Sequence, residues 1–330
     1  MIEKIPDQQD AVYAQAASSS FFSEIALLIV VLAVLLGVSW VIRARRTRTK
    51  DTRREDVPPE GQADYPSRVP LEIPETIAEE VQFDFAIAAI KRAKSVLIIT
   101  GAGISADSGL PTYRGAGGLY TGSSPESSPL SAIMLHRSPD AVWRHLSSIE
   151  RASRTALPNS AHLAIAEYQR KNPNCWLMTQ NIDGLHLRAG SPPERVLEVH
   201  GNVREVSCMS CGAICKWPVN LGDAAYPLPC AICNGQIRPS VVLYGEMIPE
   251  ATQDTMQSKI STGQFDVVVA IGTTLSFPYI KRPLQKTRAN GGACIEVNPG
   301  ESEGGALVHA HIKARAAEFV PILLSYSDLG

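Results

Sequence analysis

The chain has no excess of basic residues of the kind that marks a nucleic-acid-binding protein. Its 330 residues carry 31 lysines and arginines against 33 aspartates and glutamates, a formal net charge of −2 at pH 7. Residues 55–330 alone hold 23 basic and 28 acidic residues, a net charge of −5. Because sequence-independent binding to nucleic acid depends on cations that neutralise phosphates, we expect no nucleic-acid partner.

Cysteines are too few and too irregularly spaced for a secreted disulfide scaffold. There are seven in the chain, and small disulfide-rich domains carry a much denser pattern. The remaining composition, 45% hydrophobic and 19% charged, is that of a globular protein. The length is sufficient for one large α/β domain with additional segments.

Residues 25–42, IALLIVVLAVLLGVSWVI, lack any charged residue. This run has about the length needed to cross a bilayer as a helix. One basic residue precedes it, Lys4, whereas seven follow between Arg43 and Arg54. A cleaved signal peptide has its positive charge before the apolar run, and a buried core helix is not expected to end in seven basic residues. We therefore predict a transmembrane helix.

The segments on either side of this helix predict its orientation. Residues 1–24 form a short polar tail, and residues 43–74 form a tether that is first basic and then rich in proline. Positive charge beside a membrane span favours the cytoplasmic side. We expect a single-pass membrane protein in which everything after the arginines, including the catalytic domain inferred below, is cytoplasmic.

Beyond the tether, short apolar runs alternate with helical patterns. Strand-like runs occur at residues 95–100, 175–179, 196–199, 266–271 and 293–297. Residues 141–152 and 160–171 have helical patterns, the second with Leu163, Ile165 and Ala166 on its apolar side, whereas residues 121–140 are expected to be irregular. This alternation predicts an α/β fold with a doubly wound parallel sheet, in which ligands bind at the carboxyl ends of the strands.

The first strand-like run is followed by Gly101-Ala102-Gly103, but the loop lacks the third glycine of the dinucleotide fingerprint G-x-G-x-x-G. Glycines there let the backbone approach a phosphate closely. Alone, the pattern indicates only a tight turn between a strand and a helix.

Polar residues also follow the later strands. The segment from Gln180 to Asp183 follows one strand, and it could form a turn or bind a ribose and an amide. His200 follows the next strand and is a candidate general base, although a lone histidine there is more often structural. His186 is as much a structural candidate as a catalytic one.

Two C-x2-C pairs, separated by eighteen residues, predict a metal site. Disulfides or a redox C-x-x-C motif are the alternatives, but neither explains two pairs. Four thiolates would close a tetrahedral structural zinc site in a small zinc-ribbon module at residues 204–238, inserted in the larger domain. The ligands are Cys208, Cys211, Cys230 and Cys233, and Cys215 is a spare cysteine.

The stretch GAGISADSGLPTYRGAGGLY resembles the cofactor-binding loop of the sirtuins, the NAD-dependent protein deacylases. The later motifs match in family order, so the resemblance covers residues 74–324. It implies a Rossmann-like, sirtuin-like catalytic domain at residues 75–326. It further implies NAD as co-substrate, one structural Zn²⁺, and acyl-lysine proteins or peptides as partners.

The resemblance also implies roles for individual residues. His200 would be the general base, and Asn181 and Asp183 would act at the nicotinamide end of NAD. The segment IRPSVVLYGE would pair with the substrate peptide and wall the acyl-lysine tunnel through Val241, Val242, Tyr244, Gly245 and Glu246. The residues that would bind NAD are Gly101, Ala102, Gly103, Ser105, Tyr113, Arg114, Gln180, Asn181, Ile182, Asp183, Gly272, Thr273, Thr274, Asn298, Pro299, Gly300 and Ala316.

The implied reaction is acyl transfer from lysine to ADP-ribose, which gives nicotinamide, O-acyl-ADP-ribose and free lysine. The alternatives are a mono-ADP-ribosyltransferase and a catalytically weak, membrane-tethered protein that binds NAD and acyl-lysine. Relatives that remove acidic acyl groups carry a tyrosine and an arginine where this chain has Leu146 and Ile149. We therefore expect acetyl or longer apolar acyl groups rather than succinyl.

Overall fold

A six-stranded parallel sheet forms the centre of the fold in the computed structural model, which describes residues 81–112, 128–217, 228–261 and 265–326. The predicted tail, transmembrane helix and tether, residues 1–74, lie outside the described residues. The strands, in chain order, are β1 Val96–Thr100, β2 Cys175–Thr179, β3 Val196–Glu198, β4 Gly201–Cys208, β5 Ile214–Lys216, β6 Ile237–Val241, β7 Val267–Ile271, β8 Ala293–Val297 and β9 Ala310–Ile312.

The central sheet has the order β3-β2-β1-β7-β8-β9, and all of its strand pairs are parallel. Without the three inserted strands β4–β6, this is the order 3-2-1-4-5-6 of the Rossmann fold. The predicted doubly wound sheet is therefore confirmed. The strand order reverses between β1 and β7, which is the point where such folds bind their ligands.

Helices cover both faces of the central sheet. The α-helices are α1 Gln82–Arg92, α2 Ala132–Arg137, α3 Pro139–Thr155, α4 Ser160–Lys171, α5 Leu185–Arg188, α6 Glu250–Thr255, α7 Pro278–Ala289 and α8 Ala316–Ser325, and a π-helix spans Met256–Ser261. Residues of α1, α4 and α8 form the core on one face. Residues of the π-helix and α7 form the core on the other.

The sequence of β1 explains this two-sided burial. Side chains of a strand alternate between its faces, so Val96 and Ile98 join the first core, and Leu97 and Ile99 join the second. All five residues of β1 are buried. A strand that is apolar on both faces is expected at the centre of a parallel sheet.

A small antiparallel sheet, β5-β4-β6, lies between β3 and β7 in the chain. Its apolar side packs against α3, where Val203, Val206 and Val241 meet Trp143 in a third core. The rings of Trp143 and Trp217 lie 5.1 Å apart at 53°. This packing attaches the inserted module to the helices beside the central sheet.

Two local expectations were wrong. Residues 132–137 were expected to be irregular but form α2, because the Ser131 hydroxyl caps the helix by accepting from the Met134 backbone N–H at 3.2 Å. Leu163 was assigned to the apolar side of α4 but is 52% exposed. The buried side of α4 instead carries Ala161, Ile165 and Ala166.

Within the residues that the structure describes, no helix combines the length and the apolar content needed to cross a membrane.

Candidate active site

The turns that follow β1 and β7 meet at the reversal of strand order. Gly103 donates its backbone N–H to the Gly272 carbonyl oxygen at 2.9 Å, and Gly101 donates to the Ile271 carbonyl at 3.0 Å. A Cβ atom on Gly272 would lie 2.4 Å from the Ile104 backbone nitrogen, and φ of Gly272 is +58°. Glycine is required there both for the close approach and for the left-handed conformation.

Two cavities open beside these turns, and together they collect the predicted site residues that the structure describes. The smaller, about 270 Å³, is lined by Ser105 and Asp183 together with Ala102, Asn181 and Ile182. The larger measures about 830 Å³. Among the residues that line it are Gly101, Ala102, Gly103, Gln180, Asn181, Ile182, His200, Val241, Val242, Tyr244, Gly245, Glu246, Gly272, Thr273, Thr274, Asn298, Pro299, Gly300 and Ala316. Tyr113 and Arg114 lie outside the described residues.

Asn181, Asp183 and Ser105 form a buried hydrogen-bonded group where the two cavities adjoin. Ser105 donates its hydroxyl to Asp183 Oδ2 at 2.8 Å, and Asn181 Nδ2 donates to Ser105 Oγ at 3.2 Å and to the Gly101 carbonyl at 3.1 Å. The Leu185 backbone N–H donates to Asp183 Oδ1 at 2.9 Å. Burial raises the pKa of Asp183, and these hydrogen bonds oppose the shift. The group presents a fixed amide and a fixed carboxyl group to a ligand.

His200 lies between the central sheet and the inserted sheet. Its ring nitrogen Nδ1 is 2.9 Å from the Gln180 carbonyl oxygen, and its own carbonyl accepts the Val242 backbone N–H at 2.9 Å. The next residue, Gly201, has φ of +78°, and a Cβ there would lie 2.1 Å from the Ser240 carbonyl oxygen. Glycine at this position therefore lets β4 pair with β6 directly after the histidine.

Burial lowers the pKa of His200, while the hydrogen bond to the Gln180 carbonyl opposes this shift. The imidazole is consequently neutral at pH 7 and able to take up a proton. Among histidines of the described residues, only His200 and His145 line the two cavities. His186 lies instead beneath the sheet end, 98% buried, with Nε2 at 2.9 Å from Thr100 Oγ1. His186 lines neither cavity.

Polar side chains at the ends of β2, β7 and β8 are linked across the larger cavity. Gln180 Nε2 donates to Thr273 Oγ1 at 2.8 Å, and Asn298 Nδ2 donates to the Thr273 carbonyl at 3.2 Å. Leu275, which follows this turn, has φ of +53°. Strained backbone of this kind persists where the surrounding structure enforces it. Leu275 is fully buried in the second core, which enforces this conformation directly after the polar turn.

The predicted substrate segment begins on β6 and continues along the larger cavity. The backbone of Tyr244 donates to the Leu130 carbonyl at 2.8 Å and accepts from the Ala132 N–H at 2.9 Å. Glu246 accepts from Arg238 Nη2 at 2.9 Å and from the Leu243 N–H at 2.8 Å. Glu246 therefore closes a turn at the end of the segment.

Leu146 and Ile149, on α3, differ in their surroundings. Leu146 is fully buried in the third core, whereas Ile149 lines the smaller cavity beside His145 and Ser148. Of the described residues that line this cavity, none is a lysine, an arginine or a tyrosine. The carboxyl group of Asp183 lies in the same wall. The cavity suits a neutral group.

The four predicted metal ligands converge in the inserted module. Their sulfur atoms all lie within 4.8 Å of one another, with Cys208 and Cys233 at 3.5 Å and Cys211 and Cys230 at 3.9 Å. Four sulfurs at about 2.3 Å from a tetrahedral Zn²⁺ are about 3.8 Å apart. The residues therefore fit a closed, structural zinc site.

Backbone N–H groups point at these sulfurs from within each C-x2-C turn. Ser210 and Cys211 donate to Cys208 Sγ at 3.4 and 3.5 Å, and Ile232 donates to Cys230 Sγ at 3.4 Å. Such donors stabilise thiolate ligands. Cys215 is exposed and lies outside the group of four.

Several cavity residues were not predicted. Phe277 and Tyr279, at the start of α7, line the larger cavity, and the Tyr279 hydroxyl lies 2.6 Å from His200 Nε2. Arg315, which forms an ion pair with Asp107, lines it as well. The only sequence signal for the aromatic pair was its position shortly after the Gly272 turn.

The fold and the site define a dinucleotide-binding α/β protein that has a buried histidine at the edge of its crevice and a four-cysteine module. Comparison with known families agrees, because the model of the Sir2 family matches residues 101–278. The chain belongs to the Sir2 family.

Relatives and solved structures match over nearly their whole length. The NAD-dependent protein deacylase 2 of Pseudomonas syringae pv. tomato is 45% identical over 247 residues, 73% of this chain and 98% of that protein. Its namesake from Pseudomonas aeruginosa is 46% identical over 242 residues, 72% and 94% of the two chains. A Sir2 homologue in complex with NAD has a TM-score of 0.67 at 32% identity, covering 74% of this chain and 94% of its own. A Sir2 complex with a p53 peptide and NAD⁺ has a TM-score of 0.64 at 27% identity, covering 75% and 98%.

We predict that Cys211→Ala abolishes stoichiometric zinc binding and lowers the thermal stability of the protein, whereas Cys215→Ala changes neither. Both side chains are exposed, so neither substitution removes core packing, and only Cys211 belongs to the group of four. Elemental analysis of reductant-purified protein and thermal melting measure the two effects. Zinc release from the Cys215 variant but not from the Cys211 variant would contradict the assignment.

Proposed function

We propose that the protein is an NAD-dependent protein-lysine deacylase, which releases nicotinamide, O-acyl-ADP-ribose and free lysine. One observation carries this proposal. His200 lines the same cavity as the strand-end turns and the predicted substrate segment. The backbone carbonyl of His200 accepts the Val242 N–H at 2.9 Å. A neutral base, a dinucleotide crevice and a peptide-binding segment thus adjoin one another. The curated relatives named as NAD-dependent protein deacylases support the same reaction.

Different residues of the two cavities suit different parts of NAD. The turns at Gly101–Gly103 and Gly272–Thr274 line the larger cavity at the reversal of strand order, the place where folds of this class bind the phosphates of a dinucleotide. Asn298 suits the adenosine end, and the amide and carboxyl groups of Asn181 and Asp183 suit a carboxamide. Bound NAD supplies the ribose carbon that accepts the acyl oxygen when nicotinamide leaves.

His200 holds the proton removed from a ribose hydroxyl in the acyl-transfer step. Because Nδ1 donates its hydrogen to the Gln180 carbonyl, Nε2 is the nitrogen that accepts this proton. Burial lowers the pKa of His200, so the base is in its active, neutral form above that lowered pKa. The rate of acyl transfer is expected to fall only as the pH drops through it.

We also propose that residues 25–42 cross a membrane once and hold the catalytic domain on the cytoplasmic side. The support comes from the sequence, in which seven basic residues follow the apolar run and one precedes it. Function is compatible with that side, because four zinc-binding thiolates survive better in a reducing compartment.

For the base, we predict that His200→Ala reduces deacylation by about 10²–10⁴-fold while NAD affinity and the release of nicotinamide are largely retained. The reason is that His200 acts after the carbon–nitrogen bond of NAD has broken. Peptide mass and nicotinamide release, measured together, report the two steps. The control is His136→Ala, since His136 is exposed on α2. Near wild-type deacylation by a folded His200 variant would remove His200 from the mechanism.

Acetyl-lysine peptides are expected to have a kcat/KM at least about tenfold higher than succinyl-lysine peptides, a difference of about 1.4 kcal/mol in transition-state binding. Leu146 and Ile149 stand where relatives that remove acidic acyl groups carry a tyrosine and an arginine, and they offer neither a phenol nor a cation to a second carboxylate. Ile149→Arg should raise succinyl activity relative to acetyl activity, and Ile149→Met serves as the uncharged control. A succinyl preference of the wild-type enzyme would overturn this assignment.

Deleting residues 1–50 is expected to give a soluble, active enzyme, whereas alkaline carbonate should fail to strip the full-length protein from membranes. An apolar segment of 18 residues, extended by Phe21 and Phe22, anchors by burial in hydrocarbon and not by charge. Protease added outside intact cells should spare the catalytic domain. Release by carbonate, or digestion from outside, would show that the anchor or its orientation is wrong.

A further inference from the structure

The single basic lone pair of His200 is already engaged by a residue of the same chain. Nδ1 lies 2.9 Å from the Gln180 carbonyl oxygen, and Nε2 lies 2.6 Å from the Tyr279 hydroxyl oxygen. A carbonyl oxygen only accepts hydrogen bonds, so Nδ1 retains its proton and the lone pair of the neutral ring is on Nε2. Tyr279 is therefore the donor in this contact whenever His200 is neutral.

Aromatic packing fixes the position of this hydroxyl. Tyr279 stacks on Phe277 with ring centroids 5.4 Å apart at 18°. His200 meets both rings edge-on, at 6.1 Å and 88° for Tyr279 and at 5.9 Å and 77° for Phe277. Such geometries are favourable for aromatic pairs. Displacing the tyrosine from the histidine would break two of these contacts, its stacking on Phe277 and its edge-on contact with His200.

Tyr279 also lines the cavity in which we propose that NAD and the acyl-lysine bind. Tyr279 and His200 both line the larger cavity, beside Gln180 and Thr273. Burial raises the pKa of Tyr279 to about 12, so the phenol keeps its proton at pH 7 and is not a base by itself. A neutral phenol can nevertheless accept one hydrogen bond while it donates another.

We propose that Tyr279 relays the proton between the ribose hydroxyl and His200 in the acyl-transfer step. This inference rests on the proposed deacylase function. The ribose O–H bond breaks as its proton passes to the Tyr279 oxygen, and the Tyr279 proton passes to His200 Nε2. The ribose oxygen keeps the electron pair and bonds with it to the acyl carbon, while the π pair of the bond between that carbon and the lysine nitrogen moves to the nitrogen. Tyr279 is neutral before and after, and His200 becomes an imidazolium.

The competing role is a cap that moves aside so that the ribose hydroxyl reaches Nε2 directly. The two roles predict opposite effects of removing the hydroxyl. A relay residue is needed for the proton transfer, whereas a cap only occupies the base. Tyr279→Phe keeps the ring and its stacking on Phe277 and removes only the hydroxyl, so it separates the two.

The relay predicts that Tyr279→Phe slows single-turnover deacylation by about ten- to a hundredfold, near the lower end of the range for general acid–base groups. NAD affinity, measured by calorimetry, and nicotinamide exchange should stay close to wild type. Tyr326→Phe is the matched control, because Tyr326 does not line the cavity. The ring centroid of Tyr326 lies 5.3 Å from Lys91 Nζ. An unchanged or faster rate in Tyr279→Phe would establish the cap and overturn the relay.

Two further readouts test the proton path itself. The single-turnover rate is measured at several D₂O fractions. Its dependence on that fraction should indicate two transferred protons in the wild-type protein and one in Tyr279→Phe. If the wild-type rate indicated only one transferred proton, the relay would be overturned even if the variant proved unstable. In ¹⁵N-histidine spectra of protein without NAD, Tyr279→Phe should move the His200 Nε2 signal and leave Nδ1 protonated.

The spectra also separate failure of the relay from failure of the proposed function. If wild-type protein released no nicotinamide in the presence of acetylated peptide, the deacylase proposal would fail whatever the Nε2 signal showed. If it did release nicotinamide but the Nε2 signal were the same in both proteins, only the hydrogen bond from Tyr279, and with it the relay, would be wrong.

Discussion

The contact between the two strand-end turns determines where everything else in the site can lie. Gly103 donates to the Gly272 carbonyl at 2.9 Å, and a Cβ on Gly103 would lie 2.7 Å from Gly272 Cα. Because the strand order reverses between β1 and β7, the chain leaves these neighbouring strands in opposite directions. The crevice between the diverging segments receives Gln180 and His200 from one side and Asn298 from the other. A side chain at either glycine would separate the turns and spread these groups apart.

A buried polar layer supports the crevice from below. Thr100 Oγ1 donates to Thr179 Oγ1 at 2.8 Å and lies 2.9 Å from His186 Nε2. The rings of His186 and His162 are 4.8 Å apart. Burial lowers the pKa of His162 to about 4 and that of His186 well below its ordinary value. Two neutral histidines can pack together without charge repulsion, and through Thr100 they support the ends of β1 and β2.

Local motifs predicted most of this site because each follows a strand of one parallel sheet. The carboxyl ends of such strands meet at one edge, so Gly101, Gln180, His200, Gly272 and Asn298 converge once the sheet order is known. The two C-x2-C spacings likewise predicted the four metal ligands from the local sequence. What the sequence could not supply depends on contacts between distant segments. Tyr279 reaches His200 across 79 residues, and no local pattern records that approach. The exposure of Leu163 could not be predicted from the local sequence either, since only tertiary packing decides which edge of an amphipathic helix is covered.

The inserted module links His200, the proposed base, to the proposed peptide-binding segment, and none of its four clustered cysteines lines either cavity. β4 begins at Gly201, next to His200, and ends at Cys208, a zinc ligand. Eight residues of strand span roughly 25 Å, well beyond the distance at which a charge acts through salt solution, about 8–10 Å. A metal at the far end of β4 therefore has little electrostatic influence on the pKa of His200. Its influence is mechanical, because β4 pairs with β6, and the chain after β6 donates from Val242 to the His200 carbonyl at 2.9 Å. By holding the far ends of β4 and β6 together, the four cysteines keep the near ends of these strands, beside His200 and Val242, in register.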